Sequence, residues 1–82
     1  MEKENIIKII NNFLSEELEI EEDLVPDANL RDDLGIESLD FVDIAVIIEK
    51  EFGFKVNAEN MADVKTLDNL YDYIFDYLNN NK

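Results

Sequence analysis

Ser38 is the residue whose type and position could carry chemistry. It lies in Leu34-Gly35-Ile36-Glu37-Ser38-Leu39-Asp40, where an acidic loop gives way to the most hydrophobic helical stretch of the chain. Gly35 permits a backbone turn that a side chain would obstruct. A hydroxyl at the start of a helix can act as a cap, and the unpaired N–H groups there also favour a bound anion. Asp40 and Asp43 place negative charge in the first turns, the sign that the positive end of the helix dipole favours. A serine nucleophile needs an adjacent base and an oxyanion hole. Glu37 and Leu39 signal neither, and the chain has no His. No catalytic residue is assigned, which leaves Ser38 as a plain helix cap or as the handle for a phosphate-linked arm.

Other chemistries are excluded by residue type. Without Cys there is no disulfide framework, thiolate nucleophile or cysteine zinc site. Without His the usual general base and physiological pH switch are missing. The acidic loop invites a test for a calcium site. Counting from Asp27, the sixth position is Asp32 where Gly is needed, and the twelfth is Ser38 where Glu is needed. No metal site is expected.

The 82 residues carry 21 acidic and 7 basic side chains, a net charge of −14. Such a body is repelled by nucleic acid and by anionic membrane surfaces, so its partners should present basic patches. Self-repulsion should make the fold salt-sensitive. The longest apolar run, Ile44 to Ile48, is too short to span a bilayer, and Met1-Glu2-Lys3-Glu4-Asn5 lacks the features of a signal peptide. A cytoplasmic protein with no membrane insertion is expected. A chain this size forms one small domain over residues 1–82 and buries roughly 60–65% of its unfolded surface, little scaffold for an independent enzyme.

Helical periodicity positions Ser38. The first helix should run from about Glu2 to Leu14, with Ile6, Ile7, Ile10, Phe13 and Leu14 on one apolar stripe. A long connection from about Ile20 to Glu37 follows, rich in Asp and Glu and containing Pro26. Leu24, Val25, Leu30, Leu34 and Ile36 recur through it, so it should be pinned onto the core. Asp27-Ala28-Asn29 should turn and open a short helical turn through Asp33.

The second helix should span Ser38 to about Phe52 and stop at Gly53. Its Phe41, Ile44, Ala45, Ile48 and Phe52 form a core face. Leu39, Val42 and Val46 gather on a different face beside Ser38, bordered by Asp43 and Glu49. An apolar strip rimmed by carboxylates reads as a docking surface, unless the helix is central and buries both faces. Asn57 to Ala62 should form a short third helix with Met61 turned inward. Thr66 should cap the fourth, whose buried stripe is Leu67, Leu70, Tyr71, Ile74, Phe75 and Leu78, with Asn79 to Lys82 frayed. The fold class is all-α, with three main helices, a short one and a long first loop.

Over essentially its full length the chain resembles the acyl carrier proteins. The segment Leu34 to Asp40 matches that family's phosphopantetheine attachment motif, and the likeness extends to Phe52-Gly53 and Asp72-Tyr73-Ile74. The resemblance implies a four-helix bundle of acyl-carrier type. It implies that Ser38 is esterified with 4′-phosphopantetheine from coenzyme A by a phosphopantetheinyl transferase. It also implies acyl-transferring or condensing enzymes whose basic patches meet the second helix. Glu37, Leu39, Asp40, Val42, Asp43, Val46 and Glu49 are the corresponding docking candidates, and rim charges of this kind govern on-rate and salt sensitivity more than affinity.

Family members shelter an acyl chain between their helices, which makes Ile48, Phe52, Val56, Met61 and Leu67 candidates for an acyl pocket or, equally, for ordinary core. Three positions depart from the family pattern: Glu37 stands where Asp is commoner, Phe41 is bulkier than the small residue often there, and Lys50 interrupts the acidic surface. The expected protein is a monomeric, discrete carrier of acyl thioesters for fatty-acid, polyketide or related lipid biosynthesis. Alternatives are an aminoacyl or peptidyl carrier, including the D-alanyl type, and an unmodified acidic adaptor.

Overall fold

Apolar residues at helical spacing generate three α-helices among the described residues, which are 2–56, 61 and 63–80 of a computed structural model. They are α1 (Lys3–Glu16), α2 (Ser38–Phe52) and α3 (Leu67–Asn80). In α1, Ile6, Ile10 and Leu14 are fully buried, while Ile7 and Phe13 lie half-buried at the edge of the stripe. In α2 the buried face is Phe41, Ile44, Ile48 and Phe52. In α3 it is Leu67, Leu70, Tyr71 and Ile74, with Phe75 and Leu78 half-buried. These faces meet in one core, since an amphipathic helix of this length is stabilised chiefly by burying its apolar side.

Polar contacts fix how α1 lies on α3. The Lys3 ammonium pairs with Asp72 and, at 3.6 Å, with Asp68. The Tyr71 hydroxyl donates to the Asn11 side-chain carbonyl. The Asp72 hydrogen bond holds the Lys3 pKa above its usual value, and the two carboxylate charges add to this against some desolvation. Burial pushes the Tyr71 phenol upward, opposed by its bond to Asn11. At the far end, Phe54 stacks on Tyr77 with ring centroids 3.9 Å apart.

The loop before α2 is stitched to the start of α3. Leu30 N–H donates to the Lys65 carbonyl at 2.8 Å, Leu67 N–H to Ala28 at 3.1 Å and Asp68 N–H to Pro26 at 2.8 Å. Ala28, Leu30, Leu34 and Ile36 are buried, so the loop is part of the core rather than a free tether. This satisfies backbone groups that a long buried connection would otherwise leave unpaired.

Several boundaries differ from the expectations. The first helix begins one residue later and ends two residues later, and the chain turns at Glu19, whose φ of +54° lies in the left-handed region. Val25 is 45% exposed rather than pinned inward. The last helix continues through Asn80 instead of fraying at Asn79, whose side-chain amide donates to the Phe75 carbonyl at 2.7 Å. Of the short helix expected over Asn57 to Ala62, only Met61 is among the described residues, and it is buried. Gly53 ends α2 with φ +82°, its N–H donating to the Glu49 carbonyl at 3.0 Å.

Candidate functional site

The approach to Ser38 is built by a short turn. The Asn29 side-chain oxygen accepts the N–H groups of Arg31 and Asp32 at 3.0 and 2.8 Å, and the Asp33 carboxylate accepts the Asn29 N–H at 2.7 Å. This is a reciprocal cap on a single helical turn. The chain leaves it through Gly35 at φ +70°, where a Cβ would meet nothing within 4 Å. Glycine is required there by the backbone angle and not by space. Ile36 then drops into the core, its N–H donating to the Leu30 carbonyl at 2.9 Å.

Glu37, not Ser38, caps α2. Its backbone is extended at φ −103° and ψ 172°. The Asp40 carboxylate accepts the Glu37 N–H at 3.0 Å, and the Glu37 carbonyl accepts the N–H groups of Asp40 and Phe41 at 3.0 and 3.2 Å. Ser38 is therefore the first helical residue, exposed, with its hydroxyl left out of the cap. The N–H groups of Ser38 and Leu39 have no acceptor among the described residues. An exposed hydroxyl at this end of a 15-residue helix can carry a phosphoester, because free N–H groups and the dipole both favour the negative charge.

Beyond Ser38, α2 shows an apolar strip to solvent: Leu39 is 81%, Val42 49% and Val46 58% exposed. Glu37, Asp43 and Glu49 are exposed around it, and Asp40 is half-buried by its capping role. On one flank Asp43 and Val46 border an open groove of about 360 Å³ between α1 and α2, floored by Phe13, Leu18 and Ile47 and edged by Glu17 and Lys50. The pocket candidates lie on the opposite, inward side. Ile48, Phe52, Met61 and Leu67 are buried in the common core, and Val56 is half-buried at its margin. The exposed strip and the inward set lie on different sides of α2, and the groove, which depends on how two helices cross, has no signal in the local sequence.

Arg31 also went unassigned. Its guanidinium sits over the Phe41 ring, 5.1 Å from the centroid. The Asn29 turn carried a legible signal, Asn followed by acidic residues three and four positions later, but the ring contact did not. No group of three or more metal-binding side chains occurs among the described residues. Among the described residues no helix is long and apolar enough to cross a membrane.

Comparisons with known proteins agree with this geometry. A family model described as a phosphopantetheine attachment site matches residues 8–74. The chain is 35% identical over 75 residues to the acyl carrier protein of Coprothermobacter proteolyticus, covering 90% of this chain and 92% of that one. It is 37% identical over 73 residues to the acyl carrier protein of Thermotoga maritima, covering 88% and 90%. With the acyl carrier protein of Syntrophobacter fumaroxidans it shares 38% over 69 residues, covering 84% and 82%.

Proposed function

The chain belongs to the acyl carrier proteins, non-catalytic carriers whose prosthetic group is 4′-phosphopantetheine, and from that premise we propose that Ser38 is the attachment residue. The observation that carries the assignment is the exposed Ser38 hydroxyl at the first position of α2, released from capping by Glu37 and Asp40. When attached, the group supplies a thiol on which acyl groups ride as thioesters. The chain has no Cys of its own, so loading at a single place follows from composition.

What the protein contributes is position and recognition. The Leu30–Ile36 bond and Gly35 set where Ser38 stands relative to the core. The free Ser38 and Leu39 N–H groups favour the phosphate charge at the helix end. Leu39, Val42 and Val46, edged by Glu37, Asp40, Asp43 and Glu49, form the docking strip for a phosphopantetheinyl transferase and for acyl-transferring or condensing enzymes with basic patches. Partial burial of such a strip gives specificity, while the rim charges speed encounter, a combination suited to partners that must release one another. The inward set Ile48, Phe52, Val56, Met61 and Leu67 is the side toward which an acyl chain would be sheltered.

The protein acts as one carrier domain, in the cytoplasm, within lipid or polyketide synthesis. Incubation with coenzyme A and a transferase should add the mass of one phosphopantetheine, and purified acyl-, aminoacyl- and D-alanyl-activating enzymes would then reveal the cargo class. Loading by an aminoacyl-activating enzyme alone would move the assignment to that branch. Absence of any mass gain with several transferases would favour an unmodified adaptor.

A further inference from the structure

Arg31 is the single cation between Lys8 and Lys50, a stretch that holds thirteen carboxylates. Asp32 and Asp33 follow it directly, yet Arg31 makes no ion pair among the described residues. Its guanidinium is held instead over the Phe41 ring, 5.1 Å from the centroid. Phe41 is buried and lies three residues after exposed Ser38, so the two are one turn apart on α2 where its core face meets its exposed face. The backbone of Arg31 is fixed as well: its N–H donates to Asn29 and its carbonyl accepts the Gly35 N–H at 3.2 Å. The turn that leads to Ser38 thus carries an arginine whose guanidinium makes no hydrogen bond or ion pair among the described residues.

A phosphodiester on Ser38 adds negative charge next to Glu37, Asp40 and Asp43. That repulsion needs a nearby counter-charge, and Arg31 is the cation the loop supplies. A guanidinium matches phosphate oxygens with paired donors, and it keeps its flat face for the aromatic ring. Resting on the reading of Ser38 as the attachment residue, we propose that Arg31 is a positioning residue that pairs with the phosphate of the attached arm. Phe41, whose ring lies 5.1 Å from the guanidinium, is the platform that holds it there.

The test compares apo and fully loaded protein, with intact mass establishing complete loading in wild type, Arg31→Gln and Arg31→Lys. In the wild type, loading should shift the Arg31 Nε–H resonance and slow its solvent exchange several-fold. The ³¹P resonance of the loaded form should differ between wild type and Arg31→Gln, with Arg31→Lys intermediate, and the difference should shrink as salt is raised. Identical ³¹P and Ser38 amide resonances in fully loaded wild type and Arg31→Gln would overturn the proposal. So would a slower loading rate in Arg31→Gln with an unchanged ³¹P resonance, which would place the guanidinium on the transferase. Failure of every form to gain mass would instead count against Ser38 as the attachment residue, and with it the pairing.

Discussion

Ile36 donates its backbone N–H to the Leu30 carbonyl at 2.9 Å, while Leu30 donates its own N–H to the Lys65 carbonyl at 2.8 Å. Through these two bonds the residue before the α2 cap is referenced to the segment that starts α3. The position of Ser38 is a property of the whole bundle, and disturbing the loop should be felt both in stability and at the proposed attachment residue.

Two positive φ angles make a matched pair of predictions. Gly35 adopts +70° with open space around its Cβ direction, and Glu19 adopts +54° with a side chain that disfavours it. Gly35→Ala should destabilise by about 1 kcal/mol, and Glu19→Gly should stabilise by about the same amount. Thermal melts are the measurement; for a domain this small each change corresponds to roughly 4–8 °C. Equal melting temperatures for wild type and Gly35→Ala would show that the loop relaxes around the added methyl.

Asp40 and Asp43 should separate in their effects although both flank the exposed strip. Asp40 also accepts the Glu37 N–H, so Asp40→Ala should lose about 1 kcal/mol of stability as well as docking speed. Asp43→Lys and Glu49→Lys should leave the melt nearly unchanged and lower kcat/KM for phosphopantetheinylation, most at low salt. Salt-independent rates equal to wild type would remove Asp43 and Glu49 from the interface.

Much of this was legible in the chain. Ser38 to Phe52 reads as a helix because apolar residues recur at helical spacing and Gly53 supplies the left-handed stop at φ +82°. Thr66 reads as a cap, and its Oγ accepts the Asn69 N–H at 3.2 Å. Of the two roles open to Ser38, cap or handle, the cap goes to Glu37, because Asp40 reaches back to the Glu37 N–H while the helix still starts at Ser38. Hydrophobicity alone points Val25 inward, yet it is 45% exposed, because the path of the loop is set by the bonds that pin its neighbours and not by this side chain. Arg31 over Phe41 joins residues ten apart through a turn whose geometry local patterns do not encode.

Alkaline pH should loosen the α1–α3 contact. Lys3 has a folded pKa above its ordinary 10.5, so its contribution is complete below that value and is lost as pH rises through the folded value. The Tyr71 phenol is likewise raised above 10.0, so above that pH the unfolded chain releases a proton that the folded one retains, and stability falls. Melting temperatures should therefore decline above about pH 10. Lys3→Met should flatten part of that decline, and an unchanged slope in this variant would remove the Asp68–Asp72 clasp as a cause.

Ser15 and Ser38 are the only serines in the chain, and the arm should go to Ser38 alone. The direct measurement is intact and peptide mass after treatment with coenzyme A and a phosphopantetheinyl transferase. A single added phosphopantetheine is expected, mapped to the peptide containing Ser38, with no gain in Ser38→Ala. A gain that persists in Ser38→Ala, or one that maps to Ser15, would contradict it.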